Sequence, residues 1–488
     1  MATEQNPHAI LFPYPLQGHV IPAVNLAINL ASRGFTITFV NTKSIHHKTT
    51  QANNNNNVHA ANGEADDIFA AVRGSGLDIR YATVSDGLPV EYDRSLNDEQ
   101  FTGAMVYVMA AHVEELVAKM VKCSVPPVSC LIVDTFFVWG SAIAKKYGLL
   151  CASFWTEPAL VYTLYYHMDL LIKNGHFASH DNRKDPIDYI PGVKTIEPKD
   201  LMSYLQEDDA TTLVHQLIFA AFNDVRGADF VLCNTVHDLE PQVIEALQCY
   251  KPFYAIGPIL PRGFTNNATV ATSLWAESDC TQWLNSKPHG SVLYASFGSY
   301  AHITKWALWE IANGLLLSDV SFIWVLRPDV VSSNDLDPLP VGFKEAVRGR
   351  GMIIHWCSQQ QVLTHPAIGG FLTHCGWNSI LESIWCEVPL LCFPLFTDQF
   401  TNRKLVVDDW KVGINLSDNQ RLVNKEEVLK NVNRFMEENL RNQLKATMGE
   451  IKKYLENALG PGGSCDKNMD CFVNNFNAKA KISSAAIN

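Results

Sequence analysis

Between residues 368 and 385 an apolar run, Ile368-Gly369-Gly370-Phe371-Leu372-Thr373-His374-Cys375, halts at Gly376. It restarts as a helical pattern of Ile380, Leu381, Ile384 and Trp385. The period changes at one glycine, which reads as a buried strand, a tight turn and a helix start. The first turn of a helix has unpaired backbone N–H groups and a partial positive charge, so this unit suits an anion such as phosphate. His374, Asn378 and Ser379 place donors around the turn, and Glu382, one turn later, can accept hydrogen bonds from sugar hydroxyls. Trp356 and Gln359, one strand earlier along the chain, offer a flat ring and an amide edge, a pair suited to a base. Asp398 and Gln399, after the next strand, suit a second sugar. Taken singly, each has an ordinary reading: a core tryptophan, two capping residues, a core histidine, a solvated glutamate. Their order along one strand–helix–strand unit points to base, ribose, phosphates and sugar, that is, a nucleotide sugar.

The stretch from Trp356 to Gln399 resembles, over its whole length, the signature box of plant secondary-product UDP-glycosyltransferases. The resemblance implies that Trp356 stacks on uracil and Gln359 contacts the uridine. It implies that Glu382 holds the ribose hydroxyls, that His374, Asn378 and Ser379 bind the phosphates with the Gly376 turn, and that Trp377, Asp398 and Gln399 bind the transferred sugar. Gln399 resembles the glucose-type reader of that family. The box usually opens W-A-P-Q and here opens Trp356-Cys357-Ser358-Gln359. Cys357 is expected to offer the base only backbone atoms. The missing proline at Ser358 is expected to loosen the turn slightly without abolishing donor binding.

A chain of 488 residues suggests two domains, each with a sizeable core. Residues 8–12 form a first apolar run. A loop, a helical pattern beginning near His19 and a second apolar run at 35–40 follow, and a β-loop-α-β start of this kind argues for a parallel sheet. Further strand-like runs lie at 78–84, 130–134, 150–155, 228–234 and 253–257, and a long helical pattern at 99–121. The polar stretch 46–67, with five asparagines at 53–57, reads as a mobile surface loop. A Pro/Gly-rich segment from Gly257 through Arg262 and Gly263 opens a weakly patterned stretch, after which strand and helix alternate again up to 459. Gly460-Pro461-Gly462-Gly463 then breaks the pattern, and Ser464 can cap a final helix to about 476. The boundaries read as 1–256 for an acceptor-binding half, 257–279 for a linker, 280–462 for a UDP-sugar half and 463–488 for a last helix and tail. The resemblance implies the GT-B fold: α/β, two Rossmann-like domains whose parallel sheets face a shared cleft, with the last helix packed back on the first domain.

Composition excludes several classes. Net charge is −12 with no long basic cluster, which argues against nucleic acid or an anionic membrane as partner. No apolar run approaches a membrane span, and the polar start of the chain, with Glu4, does not read as a secretory signal. The twelve cysteines form no C-x-x-C pair, and Cys130, Cys151, Cys233, Cys375 and Cys392 sit in apolar runs; they read as reduced core residues of a cytoplasmic protein. No G-x-G-x-x-G or G-K-[ST] loop lies between a strand and a helix, which weakens a nicotinamide oxidoreductase or kinase reading.

Glycosyl transfer to a hydroxyl needs a base, an orienter for that base, and donors for the departing diphosphate. His19 follows Gly18 at the end of the first strand, where α/β folds place ligands, and its residue type has an unperturbed pKa near neutrality. It is the candidate base, unless it only opens its helix. Asp134 directly follows four apolar strand residues, so it either pairs with a nearby cation or caps the next helix. The resemblance matches Pro15-Leu16-Gln17-Gly18-His19 to the family's P-x-x-G-H element and Asp134 to its catalytic aspartate. It implies inverting transfer from a UDP-sugar, with UDP-glucose as co-substrate and no further cofactor, to a small lipophilic hydroxyl compound. The donors expected on the leaving group are Ser299, His374 and the helix start, and Thr156 matches a sugar contact. No metal is expected; Asp335-Leu336-Asp337 matches D-x-D but lies in a Ser/Asn/Pro-flanked loop. A catalytically silent UDP-sugar binder is the competing reading, and it would need neither His19 nor Asp134. The aromatic stretches 136–139 and 162–166 suit either an acceptor pocket or the core.

Overall fold

Seven apolar runs of the first half lie side by side as β1 (His8–Phe12), β2 (Thr36–Thr42), β3 (Ile79–Val84), β4 (Val128–Asp134), β5 (Leu150–Trp155), β6 (Phe230–Cys233) and β7 (Phe253–Ala255), in the order β3-β2-β1-β4-β5-β6-β7. Every pairing is parallel. In β1, β2, β5 and β6 every residue is buried, because helices cover both faces of a parallel sheet and alternation has no exposed face to serve. The second half repeats the design with β8 (Val292–Ser296), β9 (Ser321–Val325), β10 (Gly351–Ile354), β11 (Ile368–Thr373), β12 (Leu390–Cys392) and β13 (Gly413–Asn415), ordered β10-β9-β8-β11-β12-β13 and again parallel. This computed structural model describes residues 6–55, 68–179, 183–260, 270, 272–331, 337–418 and 422–485. Residues 1–5, Pro261, Arg262, Gly263, Asp335 and Leu336 lie outside them.

In each sheet the strand order reverses next to the strand that starts it: between β1 and β4, and between β8 and β11. A crevice opens at the carboxyl ends of the strands at such a point. The loop after β1 leads into the helix whose first turn holds His19, and β4 ends on Asp134. The loop after β8 carries Ser299, and β11 leads to His374 and Gly376.

The helix Ser464–Ala485 returns to the first half. Met469, Phe472 and Phe476 are buried in one cluster with Phe35, Phe230 and Tyr254, with Phe472 5.4 Å from Phe230 and Phe476 5.4 Å from Phe35. Arg33 pairs with Asp466 at 2.7 Å, and Asn475 Nδ2 donates to the Tyr254 hydroxyl at 2.7 Å. The chain therefore crosses between the halves twice, once after β7 and once after the helix Glu438–Leu459.

Several elements depart from the sequence reading. The stretch read as a loop from residue 46 is helical through its first part, as Lys43–Asn55. Ile45 and Ala52 are buried there and the Thr49 hydroxyl bonds the Ile45 carbonyl at 2.9 Å, so one small or apolar residue per turn holds the helix down. The helical pattern at 99–121 is two helices, Asp98–Tyr107 and Met109–Cys123, meeting at Val108. The last helix runs past 476 to Ala485. In place of the proline, Ser358 Oγ accepts from Gln361 N and caps the helix Gln359–Leu363, a role proline cannot fill.

Candidate active site

Two strand ends and the helix between them build the catalytic corner. His19 sits in the first turn of Gln17–Ala31, and its Nδ1 lies 2.7 Å from Asp134 Oδ2 at the end of the neighbouring strand. The other Asp134 oxygen accepts from Phe136 N at 3.0 Å, so this carboxylate both pairs and closes a turn; the next helix starts later, at Gly140. Thr156, just past β5, places its hydroxyl 3.0 Å from the same His19 nitrogen. A carboxylate only accepts, so the tautomer that matches this pair has its proton on Nδ1, which leaves Nε2 for a ligand.

The anion corner belongs to the second half. Its helix Trp377–Trp385 starts behind Gly376, and His374 stands between Gly376 and Gly298. A Cβ on Gly298 would lie 2.4 Å from His374 Nε2, and one on Gly376 2.6 Å away, so both positions exclude a side chain while the imidazole stays put. Burial and then the Arg327 guanidinium push the His374 pKa down to about 4, with the Ser296 backbone opposing them. At neutral pH the ring is an uncharged donor. Gly298→Ala is expected to displace His374, and its φ of +75° adds strain of about 1–2 kcal/mol for a non-glycine residue. Titration of the variant with UDP should show affinity reduced by about tenfold or more, the scale of a lost charge-assisted hydrogen bond.

The remaining predicted residues share the cavity but not always through the groups expected. Trp356 is half-buried beside Trp275, with ring centroids 6.5 Å apart. Cys357 is buried, its thiol 3.9 Å from the Tyr294 hydroxyl. The Gln359 amide is engaged by protein: Nε2 donates to Glu382 Oε2 at 2.7 Å and Ser379 Oγ at 3.1 Å, and Oε1 accepts from Tyr294 at 3.3 Å. Burial pushes the Glu382 carboxyl up to about 7, with Gln359 opposing the shift. The Trp377 indole is 3% exposed and donates to the Asn234 carbonyl at 2.7 Å, which leaves the backbone N–H of this first helical residue as its offering to a ligand. Asp398 Oδ1 accepts from Thr397 Oγ1 at 2.7 Å and Oδ2 from Asn402 Nδ2 at 2.5 Å; Gln399 Oε1 accepts from the backbone N–H of Leu395 and Phe396. Gly18, His19, Thr156, Ser299 and the box residues all line one cavity of about 810 Å³, with Asp134 behind His19. Phe136 and Tyr165 line it too, while Phe137, Trp139 and Tyr162 belong to the core.

Asn378 joins the two corners. Pro22 has no N–H, so the Gly18 carbonyl four residues earlier lacks its intrahelical partner. Asn378 Nδ2 donates to it at 2.6 Å across the cleft, and Asn378 Oδ1 faces Asn234 Nδ2 at 3.4 Å.

A family model described as UDP-glucoronosyl and UDP-glucosyl transferase matches residues 267–453. Over 477 residues, 97% of this chain and 95% of the relative, the sequence is 57% identical to UDP-glycosyltransferase 86A1 of Arabidopsis thaliana. The chain belongs to the plant UDP-glycosyltransferase family. Its fold is GT-B: a UGT2 of Phytolacca americana, solved with UDP-2-fluoroglucose and pterostilbene, superposes with a TM-score of 0.75 at 25% identity over 97% of this chain and 100% of that one. Os79 of O. sativa, solved with UDP, gives 0.77 at 25% identity over 96% and 100%.

Two residues of this UDP-glycosyltransferase's site escaped the sequence reading. Arg327 is 2% exposed and holds the loop after β8 from behind, donating to the carbonyls of Gly298 and of Ala301 (2.9 Å) and to Asp329 Oδ1 (2.9 Å). An arginine directly after an apolar strand, with an aspartate two residues on, was the available signal. Asn234, at the end of β6, meets both Trp377 and Asn378 and had no local signature. Asp337, half of the D-x-D match, pairs with Lys344 at 2.7 Å on the surface, away from the cavity.

Proposed function

We propose that this UDP-glycosyltransferase moves glucose from UDP-glucose to a hydroxyl of a small lipophilic metabolite, with inversion, using His19 as general base. The observation that carries the reading is the 2.7 Å bond between His19 Nδ1 and Asp134, set in the same cavity as the Gly376 helix start. The acceptor hydroxyl gives its proton to His19 Nε2 as its oxygen bonds the anomeric carbon. The bond from that carbon to the diphosphate breaks on the opposite face. Asp134 stabilises the imidazolium that forms. The departing UDP meets the first-turn N–H groups, neutral His374, Ser299 and Ser379, donors already aimed at the place where charge develops. These side chains do the work without a metal in this reading. Buried small thiols such as Cys130, Cys151 and Cys233 support a reducing compartment and hence the cytoplasm.

The apolar wall of the cavity, with Phe101, Phe136, Leu217 and Ile218, supports an aromatic or terpenoid alcohol as acceptor, of the kind represented by the stilbenoid bound in the Phytolacca relative. A silent UDP-sugar binder would have no use for an oriented base. The test is UDP release from UDP-glucose by purified protein against a panel of small aromatic and terpenoid alcohols, with and without chelator. The expected result is acceptor-dependent release that EDTA leaves unchanged. Chelator-sensitive turnover would overturn the metal-free mechanism, binding without turnover on any alcohol would favour the silent reading, and no binding of UDP-glucose would overturn the donor assignment.

A further inference from the structure

Glu157 follows Thr156 at the end of β5, lines the cavity, and has its Oε2 buried without a hydrogen-bond partner. Its position, two residues before the helix Ala159–Tyr166, would suit an acidic helix cap, but that role is taken. Glu240 reaches across from the loop after β6, where its Oε2 accepts from Ala159 N at 2.9 Å and its Oε1 from Leu160 N at 2.7 Å, and Thr235 also donates to it. The fold satisfies the one buried glutamate and leaves the other facing the cavity.

The charged groups that act on Glu157 are Asp398 first and Asp134 second, both of like sign. Burial and then these two carboxylates push its pKa well above the usual carboxylate range, which favours the protonated carboxyl. A neutral carboxyl offers one O–H donor and acceptor capacity besides, the complement of a sugar hydroxyl. Its chain neighbour Thr156 lies 3.0 Å from His19, and Asp398 and Gln399 line the same cavity. A hexosyl group whose anomeric carbon is within reach of an acceptor held at His19 lies among these residues, beside Glu157.

We propose that Glu157 is a further specificity-determining residue, whose carboxyl hydrogen-bonds a hydroxyl of the donor's hexosyl group. The proposal rests on the donor reading given under Proposed function, and its test separates the two. UDP-glucose and UDP are each titrated calorimetrically into the full-length wild type, Glu157→Ala and Glu157→Gln. Glu157→Ala is expected to weaken UDP-glucose by about tenfold while UDP stays within about twofold, and Glu157→Gln, which also donates and accepts, to recover most of the loss. The melting temperature of Glu157→Ala is expected not to fall, because removing an unpartnered buried polar group relieves a desolvation cost. An unchanged ratio of UDP-glucose to UDP affinity in Glu157→Ala would overturn the proposal. So would a melting temperature lowered together with both affinities, since that marks a structural role. A wild type that binds UDP but not UDP-glucose would overturn the donor reading and this proposal with it.

Discussion

His19→Ala is expected to lower kcat by about 10²–10⁴-fold, the contribution typical of a positioned general base, while the Kd for UDP changes by no more than about twofold. The division follows from the architecture. The proposed base sits in the first turn of the helix after β1 and its partner Asp134 ends β4 in the first half, whereas the proposed phosphate donors Ser299 and His374 follow β8 and β11 in the second. Asp134→Asn is expected to reproduce much of the turnover defect, because an amide can donate to Nδ1 and so hold the wrong tautomer. Single-turnover kinetics and UDP titration of both variants would check this. A collapse of UDP affinity in His19→Ala would mean that the two corners are not independent.

Arg403→Leu is expected to destabilise the protein by about 3–5 kcal/mol, the cost of leaving one member of a buried ion pair uncompensated. Arg403 and Asp200 are each 3% exposed, and they bond across the two halves. Thr401 donates to the Asp200 carbonyl at 2.6 Å and Ser203 N to the Thr397 carbonyl at 3.0 Å, so the pair belongs to a dock that clamps the segment carrying Asp398 and Gln399. Thermal unfolding should show the loss as a fall of roughly 3–10 °C, smaller the larger the unit that unfolds together. Asp200→Leu combined with Arg403→Leu should recover much of it, since apolar replacement of a buried pair is often close to neutral. UDP-glucose affinity should fall in the single variant while UDP affinity holds, because the clamp touches the sugar end of the cavity. A melting temperature unchanged in Arg403→Leu would show the pair to be energetically idle.

What could be read from the sequence follows physical range. Parallel strands such as β1, β5 and β11 are buried on both faces and announce themselves as continuous apolar runs. His19 and Asp134, at or just after strand ends, were readable because the crevice of an α/β sheet lies there, and His374 from the glycine turn beside it, whereas Thr156 came only from the resemblance. The helix Lys43–Asn55 was misread because its apolar stripe is thin and its tail rich in asparagine. The contacts that set one half against the other, Asn378 to Gly18, Trp377 to Asn234 and Arg403 to Asp200, join residues 143 to 360 positions apart. Nothing local marks them: the missing N–H of Pro22 is visible in the sequence, but the side chain that answers it is not. The Glu157 and Glu240 pair shows the same limit, since both are glutamates near helix starts and only the fold distinguishes the cap from the carboxyl left facing the cavity.

The two crossings of the chain between the halves have a mechanical consequence. A body tethered to its neighbour at a single point can swivel about any axis through it. The two crossings run side by side where they meet the first half, since Cys465 Sγ donates to the Ile256 carbonyl at 2.9 Å and Asn468 Nδ2 to the Ala255 carbonyl at 2.8 Å, so together they act as one narrow strap at one edge. Opening of this enzyme should therefore pivot about that edge. The contacts from Asn378 to Gly18, Trp377 to Asn234 and Arg403 to Asp200 lie away from the strap in sequence, and they, not the covalent crossings, restore register each time the cleft shuts.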